Sequence, residues 1–367
     1  MPRRAILIMS WRYDMKDDNN FSKKVLTIGG QFHPPRGGIN AVLYGYERYI
    51  YEPFYFVAIS TGKRSVENYI TRLLCPFRII WQLVAHPSIR IVHIHTPSYR
   101  SFVYAVWVAR LAHLFGRKTV MHMHGGGFKD YYSQNKNFVR KELQKANGIV
   151  ALSETWRDFY KNEVAASKVY VIPNIVDLPQ YKEVKKNSCF NFLFLGFIYK
   201  GKGIFDLVEL LCQYQKEYRN RLVLYVGGGQ KEEARLREYI SEHQLSDIVK
   251  MCGWVEGEKK IELFNKADAF ILPSYKEGLP VSIIESMTYG LPILSTRVGG
   301  IPELVEDGKN GILFEPGDKD AMKRAIDKLL NNENLRSEMS MSSKEMSKKY
   351  LPQQVKKELG KMYSSIL

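Results

Sequence analysis

A chain of 367 residues is long for a single core and suggests two domains. With 45% hydrophobic and 25% charged residues it has an ordinary globular composition, which excludes a disordered or fibrous class. The net charge of +16 is uneven: residues 1–180 carry 25 Lys/Arg against 12 Asp/Glu, and the rest carry 29 against 26. The first half is therefore set for an anionic partner, with nucleic acid, anionic lipid headgroups and a phosphorylated acceptor all open.

Met1–Asn20 begins with an apolar run, Ala5–Met9, behind Arg3 and Arg4. It lacks a small-residue cleavage site and runs into polar Asp17–Asn20, so no signal peptide is expected, though an extra strand ahead of the usual first one fits. Val25–Ile28 reads as a strand entering a Gly/Pro-rich turn, Gly29–Gly38, and Ile39–Tyr49 as a helix. Phe54–Ile59, Ile91–His95, Lys118–Met123, Gly148–Leu152 and Val169–Ile172 are short, apolar and β-branched, as buried strands are. Helical patterns lie between them at Tyr69–Leu83, Phe102–Leu114 and Glu154–Asn162. Phe102–Phe115 is the longest apolar stretch, but Arg110 and His113 interrupt it and it is too short to span a bilayer.

The rhythm restarts after a linker near residues 173–188. Strands are expected at Phe190–Leu195, Leu222–Val226, Val249–Cys252, Ala269–Leu272 and Ile293–Ser295. Helices are expected at Gly203–Gln215, Lys231–His243, Lys259–Asn265 and Val281–Tyr289. Two α/β domains with doubly wound parallel sheets follow, and their strand ends face a central cleft. The four cysteines (Cys75, Cys189, Cys212, Cys252) are scattered, which suits a reducing cytosol and small core residues better than a disulfide frame or zinc site.

The most informative stretch is Pro273-Ser274-Tyr275-Lys276-Glu277-Gly278-Leu279-Pro280-Val281-Ser282-Ile283-Ile284-Glu285. A strand ends at Leu272, a Gly/Pro loop follows, and Pro280 suits a first helical position. Backbone amides there form a site for an anion such as a diphosphate. Glu277 in the loop and Glu285 on the helix are good acceptors for hydroxyls on either side of it.

With seven residues between them, Glu277 and Glu285 resemble the paired-glutamate motif of retaining glycosyltransferases of family 4, which have the GT-B fold. The resemblance runs from about Gly37 to Ala325. Its landmarks stand in order: Leu195-Gly196 with Lys202-Gly203, Val226–Gly229, Gly253-Trp254-Val255, Ala267-Asp268, Gly299–Glu303 and Asp307–Gly311. It implies that Glu277 contacts the donor sugar and Glu285 the ribose. It places Lys202 and the amides of Gly278 and Leu279 on the diphosphate, with Gly196 and Pro280 beside them, and Val255 at the base. In the first half, Pro34–Asn40 resembles the family's glycine loop. There Gly37 and Gly38 approach the phosphates because they lack a Cβ, and Arg36 adds charge. His124, after the fourth strand, matches the family's histidine beside the transferred sugar. Two departures stand out: Phe197 occupies a position where the family often has Arg, and Ile175 follows Asn174 where it usually has Gly.

The resemblance implies a GT-B fold with a domain of residues 1–178 joined by 350–367, a donor domain of residues 179–349, and a C-terminal helix returning to the first domain. It implies retaining hexosyl transfer from a nucleotide sugar, UDP-linked in preference to GDP-linked, to a glycan or lipid-linked acceptor in bacterial surface polysaccharide synthesis. Neither a metal nor a cofactor is expected. His93, His95, His122 and His124 alternate on two strands without a carboxylate to complete a metal set, and Asp318-Lys319-Asp320 fits helix capping. The aromatic and basic residues Tyr69, Arg72, Phe77, Arg78, Trp81 and Arg90 suit an anionic membrane surface, hence a cytoplasmic protein peripheral on the inner face of the plasma membrane. The rival readings are a nucleotide-sugar epimerase or glycan phosphorylase of related fold, a catalytically silent sugar-binding protein, and a basic nucleic-acid-binding protein, although no nucleic-acid-reading motif is present.

Overall fold

The computed structural model describes residues 21–34, 37–61, 65–185, 188–230 and 232–367. The expectation for Met1–Asn20 therefore lies outside the described residues. Strands β1 (Val25–Gly30), β2 (Tyr55–Ser60), β3 (Ile91–Thr96), β4 (Lys118–Met123), β5 (Gly148–Ala151) and β6 (Val169–Val171) form one sheet. It is parallel throughout, in the order β2-β1-β3-β4-β5-β6. Strands β7 (Phe190–Leu195), β8 (Leu222–Gly227), β9 (Val249–Gly253), β10 (Ala269–Leu272), β11 (Ile293–Thr296) and β12 (Gly311–Phe314) form the second, in the order β12-β11-β10-β7-β8-β9. Every residue of β3, β5, β10 and β11 is buried, as a sheet covered on both faces requires. The two doubly wound sheets expected from the sequence are present; β12, a four-residue edge strand, was not among the expected elements.

The strand orders locate the site before any side chain is considered. The first sheet changes direction between β1 and β3, and the second between β7 and β10. Ligands of open α/β sheets bind outside the carboxyl ends of strands at such switch points. The segments after β1, β7 and β10 are those that carry Gly37, Gly196 and Glu277.

Two layers of helix cover the first sheet. On one face, Val42 and Tyr46 of the helix Gly38–Tyr49 and Val355, Leu359 and Tyr363 of the helix Pro352–Ile366 join Val25, Ile91 and Val120 in a core continuous with the second domain. The C-terminal helix thus returns to the first domain: Tyr363 Oη lies 2.5 Å from both His93 Nδ1 and Tyr51 Oη, and Lys118 donates to the Ile366 carbonyl. On the other face, the helices Val66–Ala85 and Arg100–Leu114 bury Cys75, Ile79, Leu83 and Phe102 on Leu26, Ile28, Val92 and Ile94.

The helix Val66–Ala85 keeps its course through Pro76. A proline has no N–H to offer the carbonyl four residues back, here that of Arg72. Tyr104 Oη on the neighbouring helix donates to that carbonyl instead, at 2.9 Å. Ser65 caps the start by accepting the Asn68 N–H at 3.3 Å.

Candidate active site

Loops from both sheets wall a cleft of about 700 Å³ between the domains, a volume in the range of small-molecule sites. Gly37, Gly38 and His124 line it from the first domain, and Gly196, Lys202, Val255, Glu277, Gly278, Leu279, Pro280 and Glu285 from the second. Arg36 lies outside the described residues. Gly37 caps the helix Gly38–Tyr49 at φ 91°, a backbone region side chains avoid, and a Cβ there would stand 3.1 Å from the Phe197 ring. Phe197 itself stacks on Trp254, with centroids 5.6 Å apart, so an aromatic pair stands where the family often places a cation.

Each glutamate carries a lysine. Lys202 Nζ lies 2.5 Å from Glu277 Oε1, and Ser274 Oγ donates to the same oxygen at 2.7 Å. Glu285 Oε1 lies 2.5 Å from Nζ of Lys260, on the helix Gly257–Lys266. Both pairs are largely buried, and all four residues line the cleft. Each pair thus sets carboxylate oxygens that can accept from hydroxyls beside ammonium N–H groups that can donate to anionic oxygens. Lys260 was missed from the sequence, where it is one of several lysines on a polar helix.

The loop between the glutamates is gripped by both domains. Trp156 Nε1 donates to the Gly278 carbonyl at 3.2 Å, the Gly300 N–H to the same oxygen at 2.8 Å, and Asn174 Nδ2 to the Leu279 carbonyl at 2.6 Å. Because the carbonyl of Gly278 points into these donors, the Leu279 N–H of that peptide plane points the opposite way. Among the described residues, no acceptor takes the N–H of Gly278 or Leu279. The chain of the first domain approaches closely here: a Cβ on Gly126 would stand 2.5 Å from the Glu277 carbonyl carbon. Glu303 completes the grip by accepting the N–H groups of Glu154 and Thr155, at 2.8 and 2.7 Å, at the start of the helix Glu154–Asp158. Burial pushes the Glu303 carboxyl up, but these donors outweigh it and hold the group below the usual carboxylate range. Asn174, Trp156 and Glu303 were not assigned these roles from the sequence.

The histidines form a buried hydrogen-bonded stack running toward His124. Tyr363 Oη meets His93 Nδ1 at 2.5 Å, His93 Nε2 meets His122 Nδ1 at 3.1 Å, and His95 Nδ1 meets His124 Nε2 at 2.9 Å. Ring nitrogens of His93, His95 and His122 lie within 4.8 Å of one another, close enough for a shared ion, and both nitrogens of His93 are already engaged in the bonds above. Burial holds His93 and His124 down to about 3, and His95 and His122 well below the usual imidazole value. At neutral pH His124 is therefore an uncharged hydrogen-bonding group. Asp318 caps the helix Lys319–Asn331 through the Ala321 N–H at 2.8 Å, away from the cleft residues.

Two facing parallel sheets with a cleft of amides, carboxylates and ammonium groups at their switch points define a GT-B transferase. Residues 42–180 match the model of Glycosyltransferase Family 4, and residues 180–346 that of Glycosyl transferases group 1. The chain belongs to these glycosyltransferases.

An uncharacterised glycosyltransferase of Methanocaldococcus jannaschii is 29% identical over 243 residues, covering 60% of this chain and 62% of that protein. A component of the phosphatidylinositol N-acetylglucosaminyltransferase of Arabidopsis thaliana is 27% identical over 338 residues, covering 84% and 74%. Among solved structures, sucrose-phosphate synthase of Thermosynechococcus elongatus superposes with a TM-score of 0.76 at 17% identity, over 93% of this chain and 98% of that one. The Anabaena HepE protein in complex with UDP gives 0.74 at 17%, over 93% and 100%. These likenesses favour a glycosyltransferase over the epimerase, phosphorylase and nucleic-acid-binding alternatives.

Proposed function

We propose that the chain transfers a hexosyl group from a nucleoside diphosphate sugar to a hydroxyl of a glycan or lipid-linked acceptor, with retention at the anomeric carbon. The observation that carries this is the placement of two carboxylate–lysine pairs in one cleft, on either side of a loop whose Gly278 and Leu279 amides are free. On this reading Glu277 accepts sugar hydroxyls and Glu285 ribose hydroxyls. Lys202 and the loop amides take the growing charge of the leaving diphosphate without a metal. The acceptor oxygen bonds to the anomeric carbon on the face from which the phosphate oxygen departs, and that phosphate oxygen takes the acceptor proton. His124, neutral and half-buried at the cleft wall, donates to or accepts from the sugar.

UDP is favoured over GDP as the carrier; support comes from the HepE likeness, a protein whose structure was also solved with UDP-glucose. A role in bacterial surface polysaccharide synthesis draws on a putative colanic acid biosynthesis glycosyltransferase of Escherichia coli, 35% identical over 131 residues, 34% of this chain.

A thermal-shift panel of UDP- and GDP-sugars tests donor binding, because a ligand of the folded state raises the melting temperature in step with its affinity. Glu277→Gln is expected to lower kcat by about a hundredfold or more, measured where circular dichroism shows the variant folded. Unchanged turnover removes Glu277 from the mechanism, and no shift with any nucleotide sugar removes the donor class.

A further inference from the structure

The helix Val66–Ala85 is apolar on two opposite faces. Thr71, Cys75, Ile79 and Leu83 pack on the first sheet. The other face, Leu73, Phe77, Trp81 and Val84, is between 63% and 71% exposed. The neighbouring helix adds Trp107 and Leu114, at 64% and 84% exposed, and is tied alongside by the Tyr104–Arg72 hydrogen bond. Thirteen of the seventeen large hydrophobic residues exposed among the described residues fall between Val66 and Phe115. Solvent alone does not favour such a concentration on one side of a molecule.

Charge selects the occupant. From Asn68 to Lys129 there is no Asp or Glu, while there are eight Lys/Arg. Arg72 and Arg78 stand exposed on the same helix as the apolar stripe, and Arg100 on its neighbour. A second copy laid on this face would set cation against cation. An anionic bilayer instead meets the arginines with its headgroups, and takes Phe77, Trp81 and Trp107 at the level where aromatic rings settle. No helix among the described residues is long and apolar enough to cross a membrane, so the fit is to lying on the surface. The helix is 20 residues long, about 30 Å of contact.

We infer that this two-helix face docks the enzyme on an anionic lipid bilayer. Both helices begin at carboxyl ends of their strands, after β2 and β3, on the side of the sheet that lines the cleft. The exposed apolar residues, from Val66 on, therefore begin at the end of the sheet that faces the cleft. If the acceptor reading above holds, this brings a lipid-linked hydroxyl to the active site; docking itself does not rest on that reading.

The test is co-sedimentation of the full chain with vesicles of one-third phosphatidylglycerol and two-thirds phosphatidylcholine, and with vesicles of phosphatidylcholine alone. The wild type is expected to sediment with the first, and roughly tenfold less with the second. The double variant Phe77→Asp/Trp81→Asp is expected to stay in the supernatant, and Arg72→Gln/Arg78→Gln to lose the preference for the anionic mixture. Circular dichroism and donor-induced thermal shift in both variants should match the wild type, since these side chains are exposed and lie outside the cleft. Three results overturn the inference: no wild-type binding to anionic vesicles, undiminished binding by the Asp variant, or a wild-type dimer in the ultracentrifuge that the Asp variant dissociates while vesicles bind neither. The last assigns the face to a second copy.

Discussion

Lys260 shows how a single side chain can govern a site from outside the motif. Its ammonium group is the cation found on Glu285, and the pair is largely buried. Without it the carboxylate loses its orientation and that end of the cleft loses a positive charge. On the proposed reading, in which Glu285 holds the ribose equally in ground and transition states, Lys260→Ala is expected to raise the donor KM by about tenfold and to change kcat less. Steady-state kinetics over donor concentration read the split; an unchanged KM detaches Lys260 from donor binding. That Glu277 and Glu285 share one cleft was legible because they flank a Gly/Pro strand–loop–helix junction at a fixed spacing, and sequence records spacing. Lys260 reaches Glu285 on the helix, and Asn174 and Trp156 reach the loop before it, from elements up to 122 positions away, recruited by packing that no local pattern encodes. Phe197 is intermediate: the sequence marks it as a departure, and only the fold reveals the stacked Trp254 partner.

Among the elements, the Pro76 helix offers a measurable account of how a local rule is broken. The Arg72 carbonyl lacks its intrahelical donor and takes the Tyr104 hydroxyl instead. Tyr104→Phe should cost about 1 kcal/mol of unfolding free energy. In a Pro76→Ala background, where residue 76 regains its N–H, the same change should cost distinctly less. Urea unfolding of the four proteins closes the cycle, and additive losses would mean the two positions are not coupled. The helix was readable despite Pro76 because its buried positions recur every four residues, a stronger signal than one proline; its true extent, Val66–Ala85, exceeds the Tyr69–Leu83 pattern because Ser65 caps it. Eleven of the twelve strands were legible as β-branched or aromatic runs of buried length. The exception, β12, is four residues directly after Asp307-Gly308-Lys309-Asn310, which reads as a loop, and its pairing with β11 is set by tertiary contact.

At the scale of the whole molecule, the four-histidine stack couples the fold to pH. It links the C-terminal helix at Tyr363 to the sheet at His93 and His122, while His95 supports His124 at the cleft, beside Asn174, which holds the Leu279 carbonyl. Burial depresses all four imidazoles, two of them to about 3, whereas in an unfolded chain they titrate near the usual histidine value of about 6.5. Below that value the unfolded state binds protons that the folded state refuses. Stability is thus fully present above about pH 6.5 and is lost as pH falls toward 3, by about 1.4 kcal/mol per pH unit for each histidine protonated only when unfolded. Glu303, held below the ordinary carboxylate range, adds a loss of the same sign at the acid end. Urea midpoints should therefore stay level from pH 8 to 7 and fall steeply between pH 6 and 4. His122→Gln, which removes one titrating ring and keeps a polar side chain opposite His93 Nε2, should lower that slope by roughly a quarter. A midpoint that holds constant down to pH 5 would mean the imidazoles accept protons within the fold, and the histidine stack would not be the neutral strut that joins the C-terminal helix to the active-site wall.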